Sequence, residues 1–94
     1  MKNQFAWDQW NSQKSFLKHG ITNREAESVF DDARRVIFRD QKHSVEEERY
    51  ICIGNSEFGR LLYCAFTLRE EKLRIISSRP ANQKNRDYYE KEKG

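Results

Sequence analysis

The chain has 94 residues, 36% of them hydrophobic and 35% charged, with a formal net charge of +3. That length fits a single domain over residues 1–94 whose modest core needs neither metal nor disulfide, and the clustering of Val, Ile, Leu and Phe argues against a wholly disordered chain. No apolar run can span a bilayer and no N-terminal signal peptide is visible, so a cytoplasmic protein with no membrane role is expected.

The first 68 residues carry ten basic and ten acidic groups, which leaves the whole +3 excess in residues 69–94. A basic C-terminal third suits phosphate, although many domains are mildly basic without binding nucleic acid.

Residues 3–7, "NQFAW", alternate as a short strand would, and Asp8 offers an N-cap for a helix through "QWNSQKSFLKHG" that Gly20 stops. Trp10, Lys14, Leu17 and Lys18 fall on one side of it. A second helix follows: Thr22 and Glu25 have capping-box spacing, Ile21 and Ala26 can form the staple, and Ala26, Val29 and Phe30 supply the buried stripe. "RRVIFRD" then reads as a strand, followed by a polar loop carrying His43.

"RYICIG" is the next strand, "NSEFG" a turn, "RLLYCAFTL" a strand apolar enough to be covered on both faces, "REEK" a second turn and "LRIISS" the last strand. Pro80 ends it. "NQKNRDYYEKEK" closes the chain as a charged helix with Asn82 as N-cap, whose apolar content is mostly Tyr88 and Tyr89 and which would pack poorly without a partner chain. The expectation is an α+β fold: an antiparallel sheet of about four strands plus a short N-terminal strand, two N-terminal helices on one face and a C-terminal helix.

Cys52 and Cys64 lack CxxC spacing and sit in apolar runs, as reduced core residues do. No zinc spacing, P-loop or GxSxG elbow is present, and neither metal nor cofactor is expected. The chemically informative groups are His19, His43, Arg49, Arg60, Arg74 and Arg79. Metal-free RNA cleavage asks for a group to take the 2′-hydroxyl proton, cations against the charge on a pentavalent phosphate and an acid for the leaving 5′-oxygen. Histidine and arginine on one sheet face can meet that demand.

Structural roles compete with each of these. A loop histidine is more often solvated or capping, and His19 and Lys18 before Gly20 suit the negative end of a helix dipole. Glu46, Glu47 and Glu48 read as a solvated acidic loop from which one carboxylate could pair with Arg49 or orient His43. Trp7 and Trp10 read as core anchors rather than base-stacking platforms, and Arg60 as a surface charge. Arg74 and Arg79 have opposite parity along their strand, so one site can use both only if the chain twists or bends near Pro80.

In order, "FAWDQWNSQKSFLKHGIT", "EAESVFDD", "DQKHSVEEERYICIG" and "RIISSRPA" resemble the BrnT family of type II toxin–antitoxin ribonucleases over nearly the whole chain. The resemblance implies a RelE-like fold, metal-independent cleavage of RNA with mRNA as the expected target and translation arrest as the result, and neutralisation by a ribbon-helix-helix antitoxin that carries the pair to operator DNA. It also implies Lys18, His19, His43, Arg49, Arg74 and Arg79 as functional positions, with His43 leading for proton transfer and the arginines for phosphate charge. Ser78, Pro80 and Asn82 depart from the family's pattern, and none of them removes a catalytic candidate.

Two other functions fit the same residues. One is a non-catalytic module that binds RNA or protein. The other is a corepressor acting with its antitoxin on operator DNA, where the basic C-terminal third would matter more than His43.

Overall fold

The computed structural model describes residues 4–12, 14–43 and 47–92. Asn3 of the first expected strand, Glu46 of the acidic loop and Lys93 of the closing helix lie outside the described residues. Among the described residues, three helices, α1 (Lys14–His19), α2 (Asn23–Ser28) and α3 (Gln83–Glu92), accompany four strands, β1 (Val36–Arg39), β2 (Tyr50–Asn55), β3 (Leu61–Arg69) and β4 (Lys72–Pro80). The strands form one antiparallel sheet in the order β1-β2-β3-β4, the hairpin succession expected from short turns.

Alternation along the strands divides the core in two. On the near face, Ile21, Ala26, Val29 and Phe30 pack against Cys52, Leu62, Cys64, Phe66, Leu73 and Ile75. On the far face, Ile51, Ile53, Leu61 and Ala65 pack against Tyr89 of α3. β3 is thus covered on both sides, as its apolar run implies. Gly54 allows the near-face contact: a Cβ there would stand 3.1 Å from the Val29 carbonyl oxygen.

The N-terminal segment departs most from expectation. Its strand is a single parallel bridge, Phe5 to Leu73, with Ala6 N–H donating to the Leu73 carbonyl and Leu73 N–H to that of Gln4, both at 2.8 Å. Asp8 caps a turn instead of the helix: its Oδ1 accepts from Trp10 N–H at 2.8 Å, and α1 begins only at Lys14. From there the segment runs along the outer edge of β4. Asn11 Nδ2 donates to the Ile75 carbonyl at 2.9 Å, and Ser78 N–H donates to Ser15 Oγ at 2.7 Å. An edge strand that would otherwise offer unpaired backbone groups is covered.

Thr22 caps α2 by accepting from Glu25 N–H at 3.0 Å, but Glu25 does not complete the box. Its carboxylate, 2% exposed, turns inward to the β2–β3 hairpin, accepting from Ser56 Oγ at 2.7 Å and Arg60 Nε at 2.9 Å. Arg60, although exposed, is therefore also the partner of a buried acid.

The closing helix packs better than its composition suggests. Tyr89 is buried and its hydroxyl donates to Asp32 Oδ2 at 2.7 Å, while Tyr88 meets Phe38 edge-on at 5.2 Å. Asn82 and Asn85 cap its start reciprocally, Asn85 N–H donating to Asn82 Oδ1 at 2.8 Å and Asn82 N–H to Asn85 Oδ1 at 3.1 Å. Cys52 and Cys64 are free and buried directly opposite one another; burial raises both thiols, Cys64 to about 12. No described helix is long and apolar enough to cross a membrane.

Candidate functional site

The β3–β4 register decides which arginines share a face. Ala65 lies opposite Ser77 and Phe66 opposite Ile75, so Ile76 is an extra residue in β4. One added residue reverses the parity that separates Arg74 from Arg79. Arg79 is opposite Tyr63 and Arg74 opposite Thr67, and Tyr63, Ala65 and Thr67 alternate onto the far face.

Continuing the β1–β2 and β2–β3 registers by one residue brings Arg49 to the same face, in a row Asp40, Arg49, Thr67, Arg74 across the sheet. Two bonds fix the row: Asp40 N–H donates to the Arg49 carbonyl at 2.8 Å, and Thr67 Oγ1 donates to the Glu48 carbonyl at 2.7 Å. Arg79 stands four rungs away, about 13 Å along the strands.

His43 ends a short 3-10 turn, Gln41–His43, at the β1 end of this row. Its Nδ1 lies 3.0 Å from Asp40 Oδ2 and its side chain is 56% exposed. A carboxylate only accepts, so this contact calls for an imidazole proton on Nδ1. Among the described residues, Asp40 is the carboxylate that orients the ring. Glu47 pairs with Arg69 at 2.7 Å and Glu48 with Arg39, so these two acids are held by partners and are not simply solvated. The Arg69 guanidinium, with Arg74 and Arg49 further off, holds the Glu47 carboxyl below its usual range.

Arg74 is also engaged. Asp8 takes both of its terminal nitrogens, at 2.6 and 3.3 Å, and is held below the usual carboxylate range by that contact. The cap residue of the N-terminal turn thus doubles as a counter-ion at the edge of the far face.

Lys18 and His19 line one cleft with Arg79. α1 lies on the β4 edge, where Lys14, Ser15, Lys18, His19, Ser77, Ser78 and Arg79 line a cleft of about 220 Å³. The cleft holds three formal cations, an imidazole and three hydroxyls, with no carboxylate among its lining residues. The Arg79 guanidinium lies 3.9 Å over the Tyr63 ring, and its Nη1 donates to Asn85 Oδ1 at 2.9 Å. His43 does not line this cleft; three strand spacings of about 4.8 Å separate β1 from β4. The six expected positions therefore divide into a cleft group, Lys18, His19 and Arg79, and a row group, His43, Arg49 and Arg74.

Sequence reading missed Asp8, Asn11, Ser15 and Asn85. The first three tie the N-terminal segment to β4 and so bring Lys18 and His19 to Arg79; their signal was polar side chains inside a segment read as one helix. Trp10 is no core anchor, being 75% exposed, whereas Trp7 is half-buried and donates its indole N–H to Glu27 at 2.6 Å. Among the described residues, no three His, Cys, Asp or Glu side chains converge where a metal ion could sit.

The model of one protein family, described as the ribonuclease toxin BrnT of type II toxin–antitoxin systems, matches residues 7–85. No curated protein matches the chain.

Proposed function

Because the chain belongs to the BrnT family of ribonuclease toxins of type II toxin–antitoxin systems, we propose that it cleaves RNA without a metal ion, in the cleft between α1 and β4. The observation that carries this reading is the convergence of Lys18, His19 and Arg79 in one carboxylate-free cleft, from residues 60 positions apart in the chain.

His19 takes the proton from the ribose 2′-hydroxyl; the 2′-oxygen then bonds to phosphorus and the P–O5′ bond breaks. Lys18 and Arg79 offset the charge that builds on the phosphate oxygens. The leaving 5′-oxygen takes its proton from the Lys18 ammonium or from water. Arg49 and Arg74 are placed on the far face for neighbouring phosphates of the strand, a phosphate at Arg74 displacing its counter-ion Asp8. A long RNA such as mRNA is the fitting substrate, and its loss would arrest translation in the cytoplasm.

A second reading rests on the 3.0 Å contact between His43 and Asp40. A histidine oriented by a carboxylate, with more than half of its side chain exposed, is equally built to accept a proton. On this reading the chemistry lies at the row and the cleft only binds phosphate. His19→Ala and His43→Ala, each assayed for cutting of a long single-stranded RNA in EDTA, separate the two, because the variant that loses turnover while still binding RNA marks the reacting end.

A type II system supplies a protein antitoxin. We assign it the ribbon-helix-helix class, reaching operator DNA with the toxin as passenger. A steep salt dependence of operator binding by the pair, and none by the toxin alone, supports that arrangement.

A further inference from the structure

We infer that Asn85 and Tyr63 are positioning residues for Arg79, fixing which edge of its guanidinium the cleft can use; this rests on the reading of the cleft as the site of RNA cleavage. Three contacts define the arrangement. Arg79 Nη1 donates to Asn85 Oδ1 at 2.9 Å and to the Pro80 carbonyl at 3.2 Å, and its Cζ lies 3.9 Å from the centre of the Tyr63 ring.

A guanidinium is planar, with five donors in fixed directions. The ring beneath sets its plane, and the two bonds from Nη1 stop it turning within that plane. What they leave is the Nε and Nη2 edge, whose two parallel N–H groups form a fork that matches two oxygens of one phosphate. Among the described residues, no hydrogen-bond acceptor is set against that edge. Arg79, which lines the cleft, thus carries a fork of fixed orientation, which costs less ordering when a phosphate arrives.

Asn85 also carries the start of α3. Its Oδ1 accepts from Asn82 N–H at 3.1 Å as well as from Arg79, so one oxygen serves both the helix cap and the guanidinium. A neutral amide fits this double task, since a carboxylate there would hold Arg79 equally well while cancelling the charge that draws phosphate.

The two roles separate experimentally, because Asn82 shares the cap but does not touch Arg79. Asn85→Ala, Asn85→Asp and Asn82→Ala would each be measured for thermal stability, for order of the Arg79 side-chain Nε–H group by 15N relaxation, and for kcat and KM on a long single-stranded RNA. Asn85→Ala is expected to loosen the Arg79 signal and to lower kcat about tenfold. Asn85→Asp is expected to keep the signal ordered and to raise KM. Asn82→Ala should lower the melting temperature while leaving the Arg79 signal and kcat as in the wild type.

An Arg79 signal unchanged in Asn85→Ala, or an equal loss of kcat in Asn82→Ala, would overturn the inference. If Arg79→Ala cuts RNA as the wild type does, the cleft is not the catalytic site; the relaxation data on Asn85→Ala then still decide whether Asn85 holds Arg79.

Discussion

Arg74 and Arg79 occupy the same face of the sheet although five positions separate them, because Ile76 is an extra residue between the pairs Phe66–Ile75 and Ala65–Ser77. A regular strand would turn one of the two toward the near face and the helix-covered core. Deleting Ile76 should regularise the ladder and leave the two arginines an even four positions apart, both still on the far face with Arg79 opposite Tyr63. Cleavage is expected to stay near the wild-type level in a variant that still melts cooperatively. A folded deletion variant that cuts no better than Arg79→Ala would show that activity needs the bulge itself and not the shared face.

Glu25 gives a pH dependence with a definite sign. Arg60 beside it, helped by Ser56, holds its carboxyl below the usual value near 4.5 against the opposing effect of burial. The unfolded chain therefore binds this proton first as pH falls, so the stabilisation is complete above about pH 4.5 and is lost as pH drops through the lowered value. Melting temperature should decline over that acid range, and Glu25→Gln should flatten the decline. Arg60→Ala leaves the acid buried without its fork and should cost about 1.5–3 kcal/mol at neutral pH, measured by denaturant unfolding. A cost near zero would mean that water replaces the guanidinium.

The β3–β4 hairpin turns on Glu70 and Glu71, both with positive φ, 51° and 66°. Two such residues in succession suit a type I′ turn, where Asn-Gly is preferred because a side chain crowds the backbone in this region. The double substitution Glu70→Asn with Glu71→Gly should stabilise the fold by about 1 kcal/mol. Unchanged or lower stability in equilibrium unfolding would contradict this.

The strands and hairpins were legible because their evidence is local: apolar runs of strand length, bounded by turn residues at fixed offsets. The α3 cap at Asn82 was legible for the same reason. What escaped depends on contacts far apart in the chain. Asp8 looks like a helix cap until Arg74, 66 residues away, claims its carboxylate. Glu25 looks like the second half of a capping box until Arg60 draws it inward. The bulge at Ile76 has no signature in "LRIISSRP", so the common face of the two arginines could be posed only as a question of parity. The family resemblance named Lys18, His19 and Arg79 without the physical reason they belong together, which is the path of the N-terminal segment along the β4 edge.

The most direct test is cutting of a long single-stranded RNA in EDTA by the purified wild type, His19→Ala, Arg79→Ala and His43→Ala, with RNA binding measured in parallel. Cutting by the wild type that falls about a hundredfold or more in His19→Ala and Arg79→Ala, with His43→Ala far less affected, is the expected result. Loss confined to His43→Ala would move the chemistry to the Asp40–Arg49 row, and binding without cutting by any of the four proteins would contradict the catalytic account altogether.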